Sequence, residues 1–177
     1  MNVIAALTHE GKVYMGGDSA SVDQNQCMMV RKDPKVFQNG PFLIGFTDSW
    51  RMGQILMDTT FPDPGNMDEF EYMQTQFVDV ARTRLKDGGY VKMDSNREHS
   101  GQFIVGFHGR IFLVDSDFQI GESPDPFYAI GMGSQEALSS LYSTPYLPPG
   151  DRLLIAMEAA AIYHTGVRPP FTIHKEQ

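Results

Sequence analysis

The sequence predicts an α+β protein built as a layered sandwich, and three observations support this. Strands and helices come in blocks (strands, two helices, strands, two helices, strand) rather than in alternation. Two hairpins, one near the start and one after residue 100, share an apolar run, a Gly turn, a basic residue and a second apolar run. No linker or low-complexity segment divides residues 1–177, so the chain is expected to form one domain.

The expected strands follow from short apolar runs bounded by turn residues. Residues 3–8 form the first run, His9-Glu10-Gly11 turns the chain, and residues 12–16 return it as a hairpin. Residues 42–46 are a third buried strand, after the turn Asn39-Gly40-Pro41. The second hairpin covers residues 103–115, and later strands are expected at 127–131 and 171–174.

The expected helices lie between these strands. Ser49 is a candidate N-cap for a helix that runs to residue 59, where a Pro-rich segment ends it. Residues 67–86 carry apolar side chains at helical spacing and end at Asp87-Gly88-Gly89. The polar residues 90–100 are expected to form an exposed loop. Two closing helices are predicted at 134–142 and 152–164, the second capped by Asp151.

Composition excludes several classes of function. A formal net charge of −8 argues against a nucleic-acid partner. The single cysteine, Cys27, allows no intramolecular disulfide and no cysteine zinc site, and the histidines are scattered, so no metal or cofactor is expected. No apolar run approaches the ~20 residues that span a bilayer. The first residues lack the basic start of a signal peptide, so no membrane partner and a cytoplasmic location are expected.

Several common site motifs are incomplete. Gly131-Met132-Gly133-Ser134 begins like a dinucleotide loop but lacks the third glycine and its acidic partner. Asp115-Ser116-Asp117 lacks the continuation of a calcium loop and is interpreted as a solvated turn. A Gly-x-Ser-x-Gly elbow is missing. Nothing brings Cys27 to His9 as a thiol pair, and Cys27 is interpreted as a half-buried structural residue.

The first fifty residues carry the most specific pattern. Val13-Tyr14-Met15-Gly16-Gly17-Asp18 is a strand that ends in a Gly-Asp step, and Lys35 precedes the strand Leu43-Ile44-Gly45-Phe46. This ordered set resembles proteasome β subunits, and more closely the bacterial HslV-type peptidase. The resemblance covers nearly the whole chain, because the later hairpin, the Ala129-Ile130-Gly131 strand and both closing helices keep the same order. It implies the four-layer αββα sandwich of the N-terminal-nucleophile hydrolases.

The resemblance also implies roles for individual residues. The family's nucleophile is normally a Thr whose own α-amine is the base, and an ungapped count from Asp18 puts Asn2 at that position. Asp18 matches the aspartate that orients the site, and Lys35 matches the lysine that favours the reactive nucleophile. Gly45 matches the oxyanion-hole glycine. Met132 falls where relatives have a small hydroxyl residue.

Two departures from the family pattern concern catalysis. The carboxamide of Asn2 is not a nucleophile, and Met132 replaces a polar group. Removal of Met1 generally requires a small second residue, so Met1 is expected to stay and to lock the amine of Asn2 in a peptide bond.

Three functions follow. The chain is a ring subunit without peptidase activity, or an amidohydrolase that uses Thr8, Ser19 or Cys27, or a threonine-type peptidase whose Thr is replaced by Asn2. The partners that the resemblance implies are further copies of the chain in a homo-oligomeric ring, an ATP-dependent unfoldase, and unfolded polypeptide if the protein is active.

Overall fold

The computed structural model describes residues 2–23, 25 and 27–177. The strands are β1 (Val3–His9), β2 (Lys12–Gly17), β3 (Ala20–Val22), β4 (Met28–Val30), β5 (Val36–Asn39), β6 (Phe42–Phe46), β7 (Lys92–Asp94), β8 (Arg97–His99), β9 (Phe103–Phe107), β10 (Arg110–Val114), β11 (Ile120–Glu122), β12 (Phe127–Gly131) and β13 (Thr172–Lys175). The helices are α1 (Trp50–Met57), α2 (Glu69–Tyr72), α3 (Val78–Asp87), α4 (Ser134–Ser143) and α5 (Pro149–Tyr163), with a π-helical segment, Met73–Phe77, between α2 and α3. The expected retention of Met1 lies outside the described residues.

Two antiparallel sheets form the centre of the fold. The first has the strand order β12-β1-β2-β13, so β1 is a central strand as predicted. The second has the order β11-β10-β9-β6-β5. The short pairs β3-β4 and β7-β8 lie outside these two sheets.

Three apolar clusters define four layers. One cluster joins β1 and β12 to α4 and α5, with Leu7, Leu141 and Met157 fully buried. A second joins β6, β9 and β10 to α1 and α3, with Phe77 and Phe107 at its centre. A third lies between the two sheets. The predicted αββα sandwich is confirmed, and the sheet faces are covered on both sides, as the largely apolar strands require.

A buried carboxylate connects the turns of the two hairpins. Glu176 is 5% exposed, and its Oε2 accepts hydrogen bonds from the N–H groups of Val13 (3.0 Å) and Gly109 (3.0 Å). Gly109 has a φ of +76°, and a Cβ there would lie 2.5 Å from the carbonyl oxygen of Gly11. The two turns therefore touch through backbone atoms, which requires glycine at position 109.

The structure corrects three expectations. Residues 90–100 contain the hairpin β7-β8, whose two-residue turn has positive φ at Ser95 and Asn96. Its strands contain a single apolar residue, Met93, so no apolar alternation reveals them. Helix α5 starts at Pro149, ahead of Asp151, because proline suits the first turn of a helix. Cys27 is exposed rather than half-buried.

No helix among the described residues has the length and apolar character needed to cross a bilayer.

Candidate active site

The site is organised around the carboxylate of Asp18, which follows β2 and is 1% exposed. Its Oδ1 accepts the N–H of Val3 at 3.1 Å and the ammonium of Lys35 at 2.8 Å. Its Oδ2 accepts the N–H of Ala20 at 2.9 Å and that of Arg168 at 3.4 Å. One side chain thus fixes backbone from three separate segments, including the start of β1.

Lys35, directly before β5, is the cationic partner of Asp18. Its side chain is 2% exposed, and the Nζ atom lies 5.6 Å from the centre of the Trp50 ring. Burial lowers the pKa of the Lys35 ammonium below its ordinary value, while the Asp18 carboxylate opposes that change. The result is a buried ion pair held beneath the first residues of β1.

Asn2 lies against the loop that follows β12. It is 5% exposed, and its carbonyl accepts a hydrogen bond from the N–H of Gly133 at 3.3 Å. Gly131 has a φ of +93°, and a Cβ there would lie 2.4 Å from the Asn2 carbonyl oxygen and 2.9 Å from its Oδ1. Glycine at 131 therefore lets the loop close onto Asn2.

Asn2 and Asp48 form the common wall of two cavities. The larger, of about 450 Å³, is lined by Asn2, Thr47, Asp48, Gln102, Leu113, Asp115, Tyr128, Ala129, Ile130, Gly131, Met132, Ser134, Gln135 and Leu138. The smaller, of about 270 Å³, is lined by Asn2, Ala20, Ser21, Val22, Lys35, Phe46, Asp48, Ser49, Trp50 and Arg51. Asn2 and Lys35 thus face one cavity, and Asn2 has open space on both sides.

Met132 and Gly45 are the other two residues that the sequence matches to site positions of the family, and their surroundings differ. Met132 is 55% exposed and lines the larger cavity together with Asn2. Gly45 is internal to β6, pairs with Ile104 of β9, and faces Ile4 and Met15 between the sheets. Because Thr47 N–H bonds to Gln102 O in the same ladder, alternation directs the N–H of Gly45 to β9. In that direction the N–H of Gly45 belongs to the β6-β9 ladder.

Asp48, which lines both cavities beside Asn2, differs from Gly45 in its backbone N–H. Its φ is +66°, a left-handed conformation that glycine, asparagine and aspartate tolerate best. Among the described residues, the Asp48 N–H donates to no acceptor, whereas the N–H of Thr47 bonds to Gln102 and that of Ser49 to Thr47. In the sequence Asp48 is marked only as the residue before the N-cap Ser49, whose Oγ accepts the Arg51 N–H.

The other candidate nucleophiles lie in different surroundings. Ser19 is 5% exposed and donates its hydroxyl to the carbonyl of Pro170 at 2.6 Å. Thr8 is at the opposite end of β1, about 20 Å from Asn2 at the usual rise per strand residue. Cys27 is exposed before β4. In the described part of the chain, no group of three or more His, Cys, Asp or Glu side chains is arranged to hold a metal.

The sequence matches no protein-family model and no curated protein. Solved structures match over nearly the whole chain. The BPH protein of Thiobacillus denitrificans, in complex with epoxomicin, gives a TM-score of 0.80 at 20% identity, covering 98% of this chain and 97% of that one. HslV of Trypanosoma brucei gives 0.70 at 15% identity, with 98% of both chains covered.

A third structure, Anbu (ancestral beta-subunit) of Yersinia bercovieri, gives a TM-score of 0.69 at 13% identity and covers 98% of this chain and 80% of that one. The chain has the proteasome-like Ntn-hydrolase fold. In this fold Asn2 and Lys35 line one cavity, Lys35 is paired with Asp18, and Gly45 pairs across the sheet with Val36, the residue after Lys35.

Proposed function

We propose that this protein is a proteasome-β- and HslV-like subunit of a self-compartmentalising ring that binds unfolded polypeptide without hydrolysing it. The observation that carries the proposal is Asn2 in the wall between two cavities, above the buried Asp18–Lys35 pair. The family's chemistry needs a hydroxyl at that point. A carboxamide has no ionisable O–H or S–H and cannot attack a peptide carbonyl.

Helix α5 supports the assembly part of the proposal. Its inner face, including Leu153 and Met157, is fully buried against β1. Its outer side carries Ile162 (75% exposed) and Tyr163 (73% exposed). A depression of about 500 Å³ there is lined by Leu154, Glu158, Ala161, Ile162, Pro169 and Phe171. Exposed apolar side chains grouped in this way commonly mark an interaction surface, and a further copy of the chain is the partner proposed.

One observation favours a second candidate, a threonine-type peptidase restored by Asn2→Thr. The Asp18–Lys35 pair keeps its 2.8 Å contact, and the Asp48 N–H has no acceptor among the described residues. Threonine at position 2 would add a hydroxyl beside these groups. The Asp48 N–H, in place of that of Gly45, would donate a hydrogen bond to the developing oxyanion. A small second residue also favours removal of Met1, which frees the amine as base.

The test compares three proteins on a fluorogenic peptide: the unaltered chain, Asn2→Thr and Asn2→Ala. Asn2→Ala is the matched control, because it also favours removal of Met1 but adds no hydroxyl. Hydrolysis is expected only for Asn2→Thr. Adding Lys35→Ala to this variant should abolish hydrolysis, because the hydroxyl at position 2 needs the Lys35 charge to react. Intact mass measures Met1 removal, and epoxomicin, present in the BPH complex, should bind Asn2→Thr more tightly than Asn2→Ala.

Turnover by the unaltered protein would contradict the proposal. If changing Ser19 or Thr8 abolished that turnover, the amidohydrolase with another nucleophile would be the function. Light scattering that shows a monomer at micromolar concentration would contradict the ring.

A further inference from the structure

Strand β12 lies at one end of the first sheet and pairs, among the described residues, with β1 alone. In an antiparallel ladder, successive residues direct their N–H and C=O groups alternately to the partner strand and away from it. The N–H of Thr8 bonds to the carbonyl of Pro126, which shows that Pro126 faces β1. By alternation, Phe127, Ala129 and Gly131 direct their backbone groups away from β1, to the outer edge of the sheet.

The outward backbone groups of Ala129 are unpaired although the residue is buried. Ala129 is 4% exposed, and its N–H and C=O bond to no backbone or side-chain atom among the described residues. Buried backbone groups in folded proteins nearly always have a partner. Strand β13, at the other end of the same sheet, differs because its residues 173–175 are exposed to water. The edge of β12 therefore has a capacity for hydrogen bonds that the rest of the described chain does not use.

The outer edge of β12 lies along the larger cavity. Residues 128–132 are part of its wall, together with Leu113 of β10 and Leu138 of α4. A run of consecutive strand residues presents backbone groups at a regular repeat, which matches the backbone of an extended polypeptide. The cavity, of about 450 Å³, also borders Asn2, so a segment bound there would reach the candidate active site.

We propose that the larger cavity binds an extended polypeptide by strand addition, with the bound segment beside β12 as a further strand of the first sheet. A residue opposite Ala129 in antiparallel orientation exchanges both an N–H and a C=O bond with it. Only backbone atoms take part, so sequences of mixed composition bind, as an unfolded chain requires. That the occupant is a polypeptide rests on the proposed function; the mode of pairing does not depend on ring assembly or on the loss of hydrolysis.

The experiment measures the binding of three fluorescein-labelled peptides to the unaltered full chain by fluorescence anisotropy. The reference peptide is Ser-Thr-Val-Thr-Val-Thr-Ser amide. The second peptide is N-methylated at every other residue, which leaves the N–H groups of one edge free, and the third is N-methylated at every residue. The first two should bind with similar affinity, and the third at least about tenfold more weakly, because it keeps the side chains but has no backbone donors.

Hydrogen–deuterium exchange locates the bound peptide. The reference peptide should slow exchange in residues 127–131 and leave residues 172–175 of β13 unchanged. Ala129→Pro removes the outward N–H but no bond of the β1 ladder, and proline is tolerated in an edge strand at such a position. We expect this variant to bind the reference peptide about tenfold more weakly.

Lys175→Pro is the matched control for Ala129→Pro and should bind the peptide like the unaltered chain. Lys175 is exposed, and because the N–H of Glu176 bonds to the carbonyl of Val13, alternation directs the N–H of Lys175 away from β2. If Ala129→Pro does not fold, the three peptides and the exchange pattern of the unaltered chain decide.

Equal binding of the three peptides, no binding of the reference peptide, or unchanged exchange in residues 127–131 would each overturn strand addition. Slow exchange there before any peptide is added would mean that another copy of the chain occupies the edge, which would also overturn it. Failure of the proposed function is seen separately, as hydrolysis of the fluorogenic peptide by the unaltered chain or as a monomer in light scattering.

Discussion

The Lys35 ammonium and the Asp18 carboxylate form the buried charge pair of the candidate site, with side chains 2% and 0% exposed. Removing one member of a buried pair leaves an uncompensated charge, which typically costs about 3–5 kcal/mol. We expect Lys35→Met to lower the free energy of unfolding by that amount in urea titrations at pH 7. Asp18→Asn combined with Lys35→Met should recover part of the loss. A double variant no more stable than Lys35→Met would contradict this account.

The same pair predicts a dependence of stability on pH. Because burial lowers the Lys35 pKa below 10.5, the unfolded chain binds more protons than the folded one just below that pH. The free energy of unfolding should therefore rise with pH as it approaches 10.5. The reference is Asp18→Asn with Lys35→Met, in which neither group titrates. In urea titrations from pH 7 to 9.5, the free energy of unfolding should rise more for the unaltered protein than for this double variant. The same change with pH in both proteins would contradict this prediction.

Tyr72 predicts the opposite dependence at higher pH. Burial, with a contribution from Asp63, raises the pKa of the Tyr72 hydroxyl to about 12, and the hydroxyl donates to the carbonyl of Pro62 at 2.6 Å. Above pH 10 the unfolded chain loses this proton first, so stability falls with rising pH. Between pH 10 and 12, the free energy of unfolding of the unaltered protein should fall by on the order of 2 kcal/mol more than that of Tyr72→Phe, since one pKa unit is about 1.4 kcal/mol. Equal losses for both proteins in alkaline unfolding would exclude this role.

At the scale of elements, the contact between the two hairpin turns depends on Gly109. Alanine there would combine positive φ with a Cβ 2.5 Å from the Gly11 carbonyl oxygen. Gly40 is the matched control, because its φ is +55° but nothing lies within 4 Å of an added Cβ. We expect Gly40→Ala to cost about 1–2 kcal/mol from backbone strain alone, and Gly109→Ala clearly more. Thermal unfolding of both variants measures the difference, and equal costs would mean that the turns do not restrain each other.

The sequence predicts these elements to different degrees for physical reasons. Both large hairpins are predictable, because each joins apolar runs through a two-residue turn that ends in glycine. The β7-β8 hairpin is not, because its strands lack a buried face. Asp18 and Lys35 are found through their ordered spacing. Among the described residues the N–H of Asp48 has no acceptor, and this depends on a positive φ that aspartate tolerates but does not require.

At the scale of the whole molecule, the outer side of α5 tests the proposed self-association. A charge at Ile162, on the rim of the apolar depression, would have to be buried in an interface there. We expect Ile162→Glu to reduce the molar mass measured by light scattering. Met93→Glu is the control, since Met93 is similarly exposed (64%) but lies on the β7-β8 hairpin. An unchanged mass for Ile162→Glu would remove α5 from the interface.

The hydrogen bonds of Asp18 have a consequence for the evolution of the protein. Its carboxylate holds Val3, Ala20 and Arg168 in place and balances Lys35, so natural selection for a folded chain preserves the pair even without catalysis. A single base change converts either asparagine codon into a threonine codon. The Asp18–Lys35 pair is thus kept for structural reasons, and under the proposed function a single mutation at position 2 separates the inactive subunit from a peptidase.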